Sequence, residues 1–252
     1  MNYDLIETLV IDTKKIILDK TSMSISYKAK NDFVTNIDIA VSDFLKAKLK
    51  NIAPEIGFFS EEEKGHLVEN CWILDPIDGT ANLIYGYNLS SVSLGHYING
   101  EIVFGIVFNP FTNEIFTAEK GKGAYLNHKR QLYVSERKVN ESLIEFGAGS
   151  THKELTEENF ELVKSIFKQC VDIRRICSSA LDLCYIAASR IDGYFEAILK
   201  PWDIAAGSLI LKEAGGIITD YSGNPVQFAE QSSIVAGNPQ VHNFLLKTLN
   251  QR

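Results

Sequence analysis

The sequence predicts a mixed α+β and α/β protein, with an α+β half over residues 1–140 packed on an α/β half over residues 141–252. Three observations predict it. Strand-like runs follow one another between "CWILD" and "NEIFTAEK" with turn signals between them, as in an antiparallel meander. From Glu141 onward the texture changes to strand-like and helix-like stretches in alternation. No internal repeat and no long polar linker divides the chain, so its 252 residues are expected to form one structural unit with a substantial core.

Taken in order, residues 3 to 18 place Leu5, Ile6, Leu9, Val10, Ile16 and Ile17 at helical spacing, which predicts one amphipathic helix. A loop or short turn through Thr35 and Asn36 leads into a second helix carrying Ile39, Val41, Phe44, Leu45 and Leu49, which Pro54 ends. A short strand, Ile56 to Phe59, runs into Ser60, Glu61, Glu62 and Glu63. Strands are then predicted in "CWILD", "SSVSLGHYI", "EIVFGIVFNP" and "NEIFTAEK", with Asn99–Gly100 as a strong hairpin turn. In the back half, "SLIEFGAG", "VDIRRIC", "DGYFEAI", "GIITD" and "SSIVAGN" read as strands. Between and after them, "ELTEENFELVKSIFKQC", "SSALDLCYIAASR", "PWDIAAGSLILKEAG" and the segment from about 239 read as helices.

Composition excludes several classes. Apolar residues are 45% and charged residues 23%, ordinary for a globular protein rather than a disordered one. A net charge of −7 with scattered Lys and Arg argues against nucleic-acid binding. No apolar run approaches the roughly 20 residues that span a bilayer. The N-terminus "MNYDLIETLVIDTKK" carries acids where a signal peptide would carry bases, so a cytoplasmic protein without a membrane partner is expected. Cys71, Cys170, Cys177 and Cys184 form no C-x-x-C pair, which leaves them as small buried hydrophobes rather than zinc ligands or a disulfide framework.

The chemistry concentrates in "WILDPIDGTANL", residues 72 to 83, where an apolar strand ends by placing Asp75 and Asp78 on a turn built from Pro76 and Gly79. Glu61, Glu62 and Asp203 also stand at the edges of apolar elements, where a fold delivers side chains into a cleft. Carboxylates brought together must be relieved by protons or cations. Oxygen donors with no His or Cys nearby point to a hard ion, for which magnesium is the natural candidate. Pro76 fixes one φ, Gly79 allows a tight bend and Thr80 starts the next segment as a helix N-cap would, so the amides of Gly79 and Thr80 would face the metal and receive a phosphate. Other motifs fit worse. Pro76 and Ile77 break an EF-hand pattern, "GKGAY" at 121 to 125 is only a weak Gly-rich turn, and two acids separated by two residues do not suit an aspartyl-phosphate enzyme. The five His, at 66, 96, 128, 152 and 242, share no ligand spacing and read as structural or surface groups.

With "NDFVTNID", "SEEEKG", "WILDPIDGTANL", "GKGAYLN" and "PWDIAAGSLILKEAGG" in hand, the chain resembles the inositol monophosphatase family of magnesium-dependent, lithium-sensitive phosphatases over nearly its whole length. That family also contains phosphatases of fructose 1,6-bisphosphate, of 3′-phosphoadenosine phosphates and of NADP. The resemblance implies a layered αβαβα sandwich, a homodimer, and hydrolysis of inositol monophosphate or a related sugar phosphate by a metal-activated water. By position it implies Glu61, Asp75, the Ile77 carbonyl, Asp78 and Asp203 as ligands of two or three magnesium ions, with Asp75 bridging and manganese a possible substitute. Thr80 and Asp38 would orient and help deprotonate the attacking water, with Glu61 beside them. From the residues alone, either Thr80 or Asp38 could instead be a helix cap, Asp38 for a helix beginning at Ile39.

Substrate contacts are expected at Gly79, Thr80, Arg175, Ser178, Ser179, Glu196 and Asp203, with Glu196 matching an acid that hydrogen-bonds substrate hydroxyls. "Arg175-Ile-Cys-Ser178" corresponds to a family segment reading Arg-x-x-Gly, so Ser178 stands for the customary glycine; Ser60 likewise replaces a glycine before the Glu pair, and "NLIYGYN" lacks the usual Phe and Pro. These departures leave every ligand in place and the substrate open. Lys200 could pair with a second phosphate or simply be a solvated lysine, and a bisphosphate or NADP phosphatase is the alternative within the family. A catalytically inactive metal-binding regulatory protein is the alternative from another class, against which stands the presence of Thr80, Asp78 and Asp203.

Overall fold

The computed structural model describes the whole chain except residues 20, 22, 30, 31, 64, 150 and 252. Its elements stack in five layers, α, β, α, β, α. The outer layer holds α1 (Tyr3–Asp12), α2 (Lys14–Leu18) and α3 (Asn36–Ile52). The first sheet has seven strands in chain order: β3 (Gly57–Ser60), β4 (Asn70–Asp78), β5 (Ser91–Ile98), β6 (Glu101–Asn109), β7 (Glu114–Glu119), β8 (Ala124–Leu126) and β9 (Arg130–Gln131). The middle layer is α6 (Ser179–Ala187) and α7 (Pro201–Glu213). A second sheet follows with the order β11 (Asp172–Arg174), β10 (Leu143–Phe146), β12 (Gly193–Leu199), β14 (Ser232–Gly237), β13 (Ile217–Thr219). The far layer is α5 (Thr156–Phe167) and α8 (Pro239–Asn250). Two smaller elements complete the chain, a hairpin of β1 (Ile25–Ala29) and β2 (Asp32–Thr35) and the short helix α4 (Thr80–Tyr85).

Strand alternation builds the layers. Trp72 and Leu74 of β4, with Phe104, Ile106 and Phe108 of β6, point into one core with Ile6 and Val10 of α1 and Val41 and Leu45 of α3. Ile73 and Val107, one residue out of phase, point the other way and join Leu183, Ile204 and Ile210 of the middle helices. The second sheet repeats the device. Tyr194, Ile234 and Ala236 face the middle layer, while Phe195 and Val235 face Leu162 of α5 and Val241 of α8. The middle helices press hard on the first sheet, since a Cβ on Gly105 would lie 2.8 Å from Ala206 O.

The meander from β4 to β9 is antiparallel throughout, and Asn99 and Gly100 both take positive φ at the predicted hairpin. Four details differ from the sequence expectation. β3 pairs parallel with β4 at the sheet edge. The first helix breaks at Thr13, whose N–H turns back to Val10 O and whose hydroxyl also donates to Val10 O. The segment before Thr35 is a β-hairpin rather than a loop. α3 begins at Asn36 rather than Ile39, with Thr35 as its N-cap and Asp38 at its third position. Among the described residues no helix is long and apolar enough to cross a membrane. Cys71 and Cys184 are buried as expected, Cys170 is half-buried, and Cys177 is exposed.

Candidate active site

β4 carries Asp75, Ile77 and Asp78 to its C-terminal end, all three buried. Gly79 follows at φ +84, where a Cβ would meet Cys177 O and Leu89 O at 3.1 Å, so only glycine makes this bend without strain. Thr80 is the first residue of α4, and Gly79, not the Thr80 side chain, occupies the N-cap position. Thr80 Oγ1 lies 3.0 Å from both Asp38 Oδ1 and Ile77 O. Asp38 completes a capping box, accepting from the Thr35 N–H at 2.9 Å and the Thr35 hydroxyl through Oδ2, which leaves Oδ1 for Thr80. Asp38 is therefore not the cap of a helix beginning at Ile39 but the third residue of α3, serving Thr35 through one oxygen and Thr80 through the other.

Around this turn stand the other acids. Glu61 follows β3 and takes a salt bridge from Lys28 of β1 at 2.8 Å; Lys28 also reaches Glu62 at 2.7 Å. Asp203, in the first turn of α7, accepts the Lys200 N–H at 2.6 Å. Asp75 accepts the Ile77 N–H at 3.0 Å. Asp78 is held by the start of α6, from Ser178 Oγ at 2.5 Å, Ala180 N–H at 2.9 Å and Ser179 N–H at 3.2 Å. Among the described residues no three His, Cys, Asp or Glu side chains are drawn into a ready-made ion cage; each acid keeps a partner from the chain itself.

The electrostatics show what that arrangement costs. Burial, and then the charges of Glu61, Asp78, Asp203 and Asp38, hold the Asp75 carboxyl well above the usual carboxylate range. Burial likewise raises Asp203, with Asp78 and Glu61 adding to it against the Lys200 amide. Glu61 is pushed up to about 7 by burial, although Lys28 pulls the other way. Asp78 rises to about 6 by burial against its donors from α6 and Ser91. These acids share one field that a bound cation would relieve, and their all-oxygen donor set suits a hard ion.

The cleft beside them has a volume of about 370 Å³ and is lined in part by Glu61, Asp203, Arg175, Ser179, Glu196 and Lys200. Of the anticipated substrate residues, Arg175, Ser179, Glu196 and Asp203 meet there, whereas Gly79, Thr80 and Ser178 do not line it. Ser178 is fully buried, directs its hydroxyl at Asp78 and does not line the cleft. Its φ is −145, an extended value, whereas Cys177 has φ +65, so Cys177 is the residue in the conformation that glycine favours. Lys200 bonds Gln231 Oε1 at 3.0 Å at the rim.

Residues 4–252 match the inositol monophosphatase family. The chain belongs to that family. It is 38% identical over 229 residues to the Nus factor SuhB of Vibrio cholerae, covering 89% of this chain and 85% of the relative. It is 35% identical over 235 residues to the inositol-1-monophosphatase of Mesorhizobium japonicum, covering 91% and 87%. The IMPase of Thermotoga maritima superposes with a TM-score of 0.89 at 30% identity, over 98% of this chain and 96% of that one. The layered sandwich that the resemblance implied is the fold of the protein.

Two residues of the cleft, Lys28 and Tyr194, and one of the acid turn, Asn82, escaped the sequence reading. Lys28 enters from the β1–β2 hairpin; burial opposes its charge, but Glu61 and Glu62 outweigh that and raise its pKa. Tyr194, two residues before Glu196 and therefore on the same strand face, donates its hydroxyl to Glu196 Oε2. Asn82 ties the turn to the back half by donating to Leu89 O and Ile176 O, both at 2.8 Å. The period-2 pattern of β12 could have exposed Tyr194; the other two depend on contacts distant in sequence.

Proposed function

We propose that the protein is a magnesium-dependent phosphomonoesterase acting on inositol monophosphate or a related sugar phosphate. The observation that carries this reading is the set of four acids, Asp75 and Asp78 buried and Glu61 and Asp203 half-buried, sharing one electrostatic field beside the Thr80–Asp38 pair. Glu61, Asp75, Ile77 O, Asp78 and Asp203 would hold magnesium, with manganese a substitute. When bound, magnesium supplies Lewis acidity toward the phosphoryl group and neutralises the acids. Thr80 Oγ1, with its proton directed to Asp38 Oδ1, turns a lone pair toward a water in the cleft and so orients it for in-line attack. Asp38, buried and with its pKa raised by that burial, is the acceptor at the end of this two-residue relay. The first amides of α4 have no acceptor inside the helix and would take phosphate oxygens. Arg175, Ser179 and Glu196 meet the alcohol, while Ser178 supports Asp78 from behind.

The relatives point the same way at a coarser level, one of them being named an inositol-1-monophosphatase. A cytoplasmic homodimer belongs to the same proposal and is checked by light scattering of the purified protein. The deciding experiment is phosphate release from inositol, sugar and nucleotide phosphates, with and without magnesium. Magnesium-dependent turnover with inositol 1-phosphate among the better substrates is expected. A tenfold preference for a bisphosphate or NADP would move the assignment within the family, and no turnover of any ester would leave the regulatory reading.

A further inference from the structure

Glu196 does not hang free in the cleft. β10 and β12 are parallel neighbours in which Glu145 lies opposite Tyr194 and Phe146 opposite Phe195. Beyond that pair the Gly147 N–H donates to Phe195 O at 2.9 Å, which brings the α-carbon of Gly147 beside the Glu196 side chain. A Cβ on Gly147 would sit 1.9 Å from Glu196 Cδ and 2.0 and 2.3 Å from its two carboxylate oxygens. Gly147 does not take positive φ, so its lack of a side chain serves space and not backbone conformation. The carboxylate therefore lies across a bare backbone. It is tied down there by the Tyr194 hydroxyl, which is buried and within 3.0 Å of Ser179 Oγ. A carboxylate has about four acceptor sites, so the Tyr194 donor leaves acceptor capacity for the cleft that Glu196 lines.

We propose that Gly147 and Tyr194 are positioning residues that fix the Glu196 carboxylate as a pre-set acceptor for the hydroxyls of the ester's alcohol, and so select hydroxyl-rich phosphate esters. The proposal rests on the phosphatase reading above. An acceptor already ordered in the free protein loses no rotamer freedom when substrate binds, and a polar site left unpaired by an alcohol without hydroxyls discriminates against that alcohol. Neither residue touches the reacting phosphate.

The test compares KM for inositol 1-phosphate with KM for an aryl phosphate that carries no hydroxyl. Gly147→Ala, which pushes the carboxylate out, and Tyr194→Phe, which removes its donor, should each raise the ratio of the two KM values by about tenfold, with kcat for the aryl ester little changed. In a Glu196→Ala background neither substitution should move the ratio further, because what they position is gone. Crystal structures of the two variants should show the carboxylate displaced. Should Gly147→Ala not fold, Tyr194→Phe, which keeps the ring in its place, carries the same test. An unchanged ratio, a carboxylate that stays put, or an equal effect in the Glu196→Ala background would overturn the proposal. A wild-type protein that hydrolyses neither ester would overturn the phosphatase reading, and the proposal with it.

Discussion

Replacing Thr80 by alanine separates chemistry from folding, because the structure shows that this side chain is not the cap of its helix. Gly79 holds the N-cap position of α4 and makes no side-chain bond there, while Thr80 Oγ1 sits 3.0 Å from Asp38 Oδ1 and from Ile77 O. Asp38 keeps both Thr35 donors on its other oxygen when the Thr80 hydroxyl is lost, so its desolvation remains mostly compensated. The expected cost is that of one hydrogen bond, about 1 kcal/mol. In a chain of this size that lowers Tm by about 2–4 °C. The chemical cost is much larger, since a positioned proton-transfer pair contributes about 10²–10⁴ in rate. Steady-state kinetics with inositol 1-phosphate at saturating magnesium should show kcat lowered by that factor and KM nearly unchanged, and Thr80→Ser, which keeps the hydroxyl, should recover most of it. A melting curve on the same samples checks the fold. An alanine variant with normal kcat would refute the role, and a kcat loss matched by a collapse in Tm would assign it to structure.

Three further outcomes are expected. Magnesium at about a hundred times its dissociation constant should stabilise the fold by about 2.7 kcal/mol in a thermal melt. EDTA should abolish both that shift and turnover, and Asp78→Asn or Asp203→Asn should lower kcat by orders of magnitude; full activity in enzyme shown metal-free by elemental analysis would refute the mechanism. His96 is enclosed by Tyr3, Asn70 and Trp72, and burial lowers its pKa from the usual 6.5 to about 4. The unfolded chain binds more protons than the folded one in that window, so stability should fall as pH drops from about 6.5 to about 4, by up to about 3 kcal/mol. Urea unfolding should show His96→Gln to be flatter there, and an identical slope would reject the assignment. Cys177→Gly should raise stability by a few tenths to about 1 kcal/mol, the relief of a left-handed non-glycine residue less the entropy glycine adds to the unfolded chain, and a lower Tm would contradict this.

The parts legible in the sequence were those written in local punctuation. Pro76 and Gly79 bracket the acid turn, Asn99–Gly100 closes a hairpin, and the alternation in β4, β6 and β12 assigns each side chain to a layer. The hairpin β1–β2 escaped because it lacks the usual mark of a strand. Ile25 and Tyr27 are exposed, so no apolar face had to be written into the sequence, and Lys28 was hidden with it. β8 and β9 were too short, at 3 and 2 residues, to show a period. The break at Thr13 is a matter of one side chain bonding its own preceding turn, which leaves the apolar spacing on both sides unchanged.

The segment before α6 shows a different limit, one of register rather than of pattern. Arg174 and Arg175 stand side by side, so an Arg-x-x-Gly pattern can be laid down in two ways, ending at Cys177 or at Ser178. Composition cannot choose between them, but backbone conformation can. Positive φ falls on Cys177, and Ser178 is extended. With the pattern counted from Arg174, the serine ceases to be a departure beside the sugar and becomes a donor to Asp78, while the thiol of Cys177 takes the wall of the cleft. The two arginines then part in role as well. Arg174 turns to Asp172 on its own strand, and Arg175 is the one that lines the cleft, so the spacing motif and the cationic contact come from adjacent residues and not from the same one.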